Sequence, residues 1–189
     1  MAPEAAAGAV AVRELRWTDF DPLREMYYLL YEERETNPEI GITLFRERPS
    51  YEDETAWFSG LYRRALAGDA VVRIAELEGR VVGNCVVGRE GPSPSAENGH
   101  VGVLGILVHR DFRGRGAGDA LLRSTLAGCR GTFDLVRLSV FAANARARRL
   151  YERHGFVGIG RVPAGVRRGD QYLDEDLMLC DLRTPPPKR

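Results

Sequence analysis

The spacing of hydrophobic positions changes from segment to segment along this chain, and the order of the changes predicts a mixed α/β architecture. Residues 9–16 alternate apolar and polar side chains, the mark of a short strand. Thr18, Asp19 and the Asp21-Pro22 pair then offer caps and a first-turn proline. Leu23, Met26, Tyr27 and Leu30 follow on one helical face, up to Asn37-Pro38, where the residue before proline leaves the α region. Ser50 and Asp53 have the form of a capping box, with Asp in place of Glu. The helix they open carries Trp57, Phe58, Leu61, Tyr62 and Leu66, and closes at Gly68. Residues 70–77 and 80–88 read as strands joined by a Glu78-Gly79 turn.

Residues 89–99 are rich in Gly, Pro and Ser and read as a loop into an apolar run, 101–108, broken only by Gly102 and Gly105. A helix over 119–127 places Leu121, Leu122, Thr125 and Leu126 on one face. A strand at 135–141 precedes a short helix at 145–154, capped by Asn144 and stopped by Gly155. Strands at 156–162 and 172–182 close the pattern, with 163–171 as the loop between them. The irregular stretch 39–49 carries its own apolar residues, Ile40, Ile42, Leu44 and Phe45.

Composition changes this picture little. The chain of 189 residues is 44% hydrophobic and 29% charged, as expected of a globular domain, here placed at 9–182 between a leader at 1–8 and a tail at 183–189. No apolar run approaches the ~18 residues of a membrane helix. The start lacks a basic region and carries Glu4, against a secretory signal. Cys85, Cys129 and Cys180 are odd in number and far apart, which suggests reduced core residues in a cytoplasmic protein and no metal site. Formal net charge is zero, so nothing argues for nonspecific binding to nucleic acid or acidic membrane. Of 27 basic residues only Lys188 is lysine, which a GC-rich coding bias explains.

Candidate chemistry begins after the apolar run at 101–108. Arg113-Gly114-Arg115-Gly116-Ala117-Gly118 stands between that strand and the helix. Strand, glycine turn and helix start gather free N–H groups and a helix dipole at one spot, which binds phosphate, and two arginines add charge. The stretch is not a P-loop, because no lysine follows, and Asp119 stands where a dinucleotide fingerprint needs its third glycine. Its Arg-x-x-Gly-x-Gly form resembles the acyl-CoA pyrophosphate loop of the GNAT superfamily of N-acetyltransferases. Further along, Asn144-Ala-Arg-Ala-Arg-Arg-Leu-Tyr151-Glu-Arg-His-Gly155-Phe156 matches that superfamily's N-x-x-A-x-x-L-Y-x-x-x-G-F signature at every fixed position. The likeness covers about residues 71–182. The flanking strand and helix, with zero net charge, exclude an RNA-binding RGRG module.

The resemblance implies an α/β (α+β) fold whose mixed, mostly antiparallel sheet of about seven strands is flanked by about four helices. In that family the sheet splays between the fourth and fifth strands, and acetyl-CoA, the co-substrate, lies in the opening. Residues 113–118 would then hold the pyrophosphate, and Ile106, Leu107 and Val108 the pantetheine arm, one of them giving an N–H to the thioester oxygen. Asn144 is expected as helix cap and pantetheine contact. Tyr151 matches the family's acid beside the sulfur. The implied reaction passes the acetyl group directly to a primary amine, on a protein N-terminus, a lysine or a small molecule such as a polyamine. The alternative is a non-catalytic or regulatory acyl-CoA-binding protein.

The chain departs from the family pattern at the base. Many members carry a glutamate early in the central strand, and here no acid stands inside it. His100 is expected to relay the proton, with Glu97 as runner-up and Glu76 third. Residues 39–49 and 163–171 would shape the acceptor site; their mixed charges name no single class of amine. Oligomeric state is not fixed, a homodimer being among the options.

Overall fold

A computed structural model describes residues 8–37, 41, 42 and 44–183. The leader up to residue 7, the tail from 184 and parts of the 39–49 stretch lie outside the described residues. Seven strands form one sheet: β1 (Ala11–Glu14), β2 (Ala70–Leu77), β3 (Arg80–Arg89), β4 (Val101–Val108), β5 (Leu135–Phe141), β6 (Val157–Arg168) and β7 (Gln171–Asp181). Their order across the sheet is β1-β2-β3-β4-β5-β7-β6, and only the β4–β5 pair is parallel. Four helices cover it: α1 (Phe20–Thr36), α2 (Tyr51–Leu66), α3 (Ala117–Cys129) and α4 (Ala145–Arg153).

The helices lie on two faces, each sealed by its own apolar cluster. Leu23 and Met26 of α1 and Phe58 and Leu61 of α2 pack on Ala70, Val72 and Ile74 of β2. On the other face Leu121, Leu122 and Leu126 of α3 and Tyr151 of α4 meet Val87, Leu104, Val136 and Leu138. These are the one-face residues that helical spacing picks out. Local signals also act as their chemistry requires. The Ser50 hydroxyl accepts the Asp53 N–H at 3.1 Å while the Asp53 carboxylate accepts the Ser50 N–H at 3.0 Å, a complete capping box on α2.

Two boundaries differ from the periodic reading. β1 is confined to 11–14. More important, residues 163–168 continue β6 as a strand, and the turn shrinks to Gly169 and Asp170. Pro163 can stand in this strand because β6 is a sheet edge and its register with β7 shifts between Val162 and Val166. Within that bulge Ala164 adopts a φ of 53°, and its N–H is held by the Asp174 carboxylate at 2.9 Å.

Candidate active site

The parallel pair at the middle of the sheet is joined only at one end. Val101, Gly102 and Val103 of β4 face Leu135, Val136 and Arg137 of β5, and the ladder stops there. On its other side β4 stays paired with β3 to Val108, and β5 stays paired with β7 to Phe141. The two halves of the sheet therefore part after Val103. A cavity of about 1600 Å³ opens in the gap and over its rims.

The main chain of β4 shows which groups face this gap. The Val101 carbonyl accepts the Glu90 N–H (3.0 Å) on the β3 side, and the His100 carbonyl accepts the Asp134 N–H (2.9 Å) on the β5 side. Alternation then turns Ile106 and Val108 toward the missing β5 partner, while Leu107 faces β3 opposite Asn84. The Val108 carbonyl is taken by Arg113 Nε at 3.0 Å. Side chains alternate too: Leu104, Ile106 and Val108 pack toward α3 and α4, and Leu107 toward α1 and α2. Val103 and Gly105 share the Leu107 face and line the cavity, and a β-carbon on Gly105 would meet nothing within 4 Å.

At one mouth of the gap lies the glycine turn. Gly114 and Gly116 have φ values of 84° and 88°, a region that side chains with a β-carbon rarely enter. Gly116 caps α3, and the first intrahelical bond is Ala120 N–H to the Gly116 carbonyl at 3.0 Å. The N–H groups of Ala117, Gly118 and Asp119 thus come before the helix's own ladder. Gly118 lets α3 approach α4, since a β-carbon there would stand 3.1 Å from Leu150 Cδ2. The arginines of the turn have different surroundings. Arg113 donates to both oxygens of Glu33 on α1, one at 2.7 Å, and Arg115 lies over the Phe112 ring at 5.2 Å. Arg146 of α4, which the turn motif does not include, reaches within 3.1 Å of where a Gly114 β-carbon would be and lines the cavity. The Asp119 carboxylate turns to His154 Nε2 at 2.9 Å and to Arg123. Burial pushes its pKa up, but these partners outweigh burial and hold it below the usual range.

Asn144 caps α4, its Oδ1 accepting the Ala147 N–H at 3.0 Å, and it also lines the cavity. Tyr151 is buried at the cavity wall, edge-on to Phe156, and among the described residues its hydroxyl has no hydrogen-bond partner. Burial pushes the phenol well above its ordinary pKa, so it stays protonated. His100 and Glu97 sit at the zipped end of β4, before Val101, and neither lines the cavity. The gap opens at the opposite end of the strand, so the structure does not bring them together with Tyr151. Glu76 ion-pairs with Arg13 at 2.6 Å near the sheet edge. Three carboxylates line the cavity from the α1–α2 side, Glu47, Asp53 and Glu54, and of these only Glu54 of α2 is buried, 5% exposed. Periodicity did not single it out, although Glu54, Phe58 and Leu61 share one helical stripe.

A sheet split at its one parallel pair, with a glycine turn opening a helix at the mouth of the split, is the architecture of the N-acetyltransferase fold. The chain belongs to the acetyltransferase (GNAT) family, whose model matches residues 10–156. It is similar to the L-amino acid N-acetyltransferase AaaT of Escherichia coli (strain K12), 31% identical over 104 residues, 53% of this chain and 62% of the relative. The match thus spans less than two thirds of that relative's length. Among solved structures, a GNAT superfamily phosphinothricin acetyltransferase (Pat) from Sinorhizobium meliloti in complex with AcCoA superposes with a TM-score of 0.75 at 21% identity, covering 95% of this chain and 94% of that one. A ribosomal-protein-alanine N-acetyltransferase from Brucella melitensis gives a TM-score of 0.75 at 23% identity, over 90% and 99%. At these identities the likeness shows the fold. Among the described residues no helix is long and apolar enough to cross a membrane, and no cluster of His, Cys, Asp and Glu could hold a metal ion.

Proposed function

We propose that this protein transfers the acetyl group of acetyl-CoA directly to a small primary amine. The observation that carries this reading is the parting of β4 from β5, which leaves the main chain of Ile106 and Val108 without a strand partner beside a glycine turn built for phosphate. The site fits acetyl-CoA along its length. The N–H groups of Ala117 and Gly118, with Arg115 and Arg146, would meet the pyrophosphate, and Gly114 and Gly116 allow its close approach. Ile106, Val108 and Asn144 would hold the peptide-like pantetheine arm.

Acetyl-CoA supplies a thioester, and the chain supplies the groups around it. The Ile106 N–H would stabilise negative charge developing on the thioester oxygen. The Tyr151 hydroxyl would protonate the departing thiolate. A small acceptor is favoured by the segment before α2, which is pinned over the cavity. Tyr28 and Tyr31 donate to the Pro49 and Glu47 carbonyls at 2.9 and 3.2 Å, Arg34 to the Phe45 and Arg46 carbonyls, and Arg168 to the Ile42 carbonyl at 3.1 Å. Two of the proteins it resembles are named for small acceptors, L-amino acids and phosphinothricin.

Thiol release from acetyl-CoA should be measured with L-amino acids, phosphinothricin, polyamines, aminoglycosides, and peptides with N-terminal alanine or internal lysine. Turnover with a free small amine, and none with the peptides, is the expected result. Turnover confined to peptides would refute the small acceptor. Tight acetyl-CoA binding with no turnover at all would favour a regulatory acyl-CoA-binding protein.

A further inference from the structure

The described residues include three carboxylates buried below a tenth exposure, and two of them are satisfied. Asp19 receives both Nη atoms of Arg13 (2.8 and 2.7 Å) and the Arg16 N–H (2.7 Å). Asp176 receives Arg148 at 3.0 Å and Arg161 at 2.7 Å. Glu54 is the third, and among the described residues no donor reaches its side chain and no cation lies within 4 Å of it. Its oxygens face the open cavity and are not sealed from solvent, yet no protein group donates to them, and a polar group so placed calls for an explanation.

Its position suggests what the partner is. Glu54 lies one and two turns ahead of Phe58 and Leu61 on the buried stripe of α2. Those two pack on the same sheet face as Leu107, the face on which Val103 and Gly105 border the cavity. Where the stripe passes from the core to the cavity wall, the apolar residue is replaced by a carboxylate. The nearby cations make their close contacts with other groups, although Arg24 acts on Glu54 through space and its buried Nε has no hydrogen-bond partner among the described residues. Arg24 of α1 pairs with Asp21 at 3.0 Å and lies over Tyr51 and Tyr28. Arg48 lies over Tyr28, Arg64 donates to the Arg89 carbonyl, and Arg89 pairs with Asp69 at 3.1 Å.

We propose that Glu54 is the acceptor-binding base: its carboxylate pairs with the ammonium form of the incoming amine and takes its proton. This rests on the acetyltransfer reading above. The ammonium passes one proton to Glu54 and becomes a neutral amine. The amine nitrogen bonds to the thioester carbon as the carbon–sulfur bond breaks. The second nitrogen proton replaces the one that Tyr151 gives to the thiolate, and Glu54 releases its proton to solvent when the acetamide leaves. Substrate ammonium and acetyl-CoA thus yield acetamide, CoA thiol and one free proton, with the enzyme regenerated.

Burial pushes the Glu54 carboxyl above its ordinary pKa, against the pull of Arg24 and with a push from Asp53. Tyr27 of α1 and Arg46, Glu47 and Arg48 of the overlying segment border the same cavity. A carboxyl with a raised folded pKa favours the fold as the acid. That contribution is complete below the unfolded value of ~4.3 and is lost as pH rises through the folded value.

The test uses Glu54→Gln and Glu54→Asp in the full chain, with acetyl-CoA and the panel amine that wild type acetylates fastest. Glu54→Gln should lower kcat/KM for the amine on the order of 10²–10³-fold and abolish the acidic limb of its pH profile. Acetyl-CoA affinity should stay within about twofold, since Glu54 lies on the acceptor face. Glu54→Asp should keep the acidic limb at a reduced rate. Without substrate, Glu54→Gln should melt above wild type at neutral pH, the two converging below pH ~4. Turnover within about threefold of wild type, or a lost rate accompanied by a lower melting temperature and weaker acetyl-CoA binding, would overturn the assignment. A wild type that acetylates no amine removes the catalytic reading itself, whereas an active wild type matched by Glu54→Gln removes only this inference.

Discussion

At the scale of single residues the proposed chemistry rests on two groups that have no hydrogen-bond partner among the described residues, the Tyr151 hydroxyl and the Glu54 carboxylate. Tyr151 is buried against Phe156, so Tyr151→Phe removes one oxygen and leaves the ring packing in place. General-acid assistance is worth about 10²–10⁴-fold, and a thiolate is a moderately stable leaving group. Single-turnover acetyl transfer should therefore fall by roughly 10²-fold in Tyr151→Phe, the lower end of that range, with the KM for acetyl-CoA unchanged. A variant that transfers at the wild-type rate would make the tyrosine a packing residue. Tyr151 was legible because a fixed motif surrounds it. Glu54 was not, because helical periodicity records where apolar residues recur and passes over a charge set among them. His100 shows the converse: period-2 counting extended β4 back to it, whereas it lies in the turn before Val101, and no count along β4 reveals which end of that strand parts from β5.

At the scale of elements, the decisive one is the turn into α3. Gly116 sits at a φ of 88° with open space where a β-carbon would be. In Gly116→Val the new methyl groups would enter the phosphate cradle, and a β-branched residue would resist the left-handed backbone. Calorimetric acetyl-CoA binding is expected to disappear; unchanged affinity would remove the turn from the site. The strand–turn–helix order and the glycines of this element were readable, whereas the pairing of Arg113 with Glu33, the approach of Arg146 and the helix start at Ala117 were not. The hairpin of β6 and β7 was readable in part. Pro163, Gly165 and Gly169 carry the composition of a loop, yet most of the stretch is strand. An edge needs no ladder bond from Pro163, and the bulge at Val162–Val166 absorbs the misfit. Composition alone cannot tell an edge bulge from a loop.

At the scale of the whole molecule, the sheet is two antiparallel blocks hinged on three residue pairs of β4 and β5. Each block has its own full ladder, and the α1–α2 and α3–α4 clusters close opposite faces. A ligand that lies in the gap bonds to both blocks and to the α3 turn at once, and it cannot do so in the unfolded chain. Binding only to the folded state adds RT ln(1 + [L]/Kd), about 2.7 kcal/mol at a hundred times Kd. For a domain of this size each kcal/mol moves Tm by about 2–4 °C, so acetyl-CoA at that excess should raise Tm by roughly 5–11 °C. Gly116→Val should lose the rise, since its cradle is blocked. Glu54→Gln should keep the rise in full, on top of its higher starting Tm, because its proposed role puts the carboxylate against the acceptor and not against acetyl-CoA. A ligand-induced shift lost in Glu54→Gln would place Glu54 on the acetyl-CoA side and contradict the division of the cavity argued from the alternation of β4.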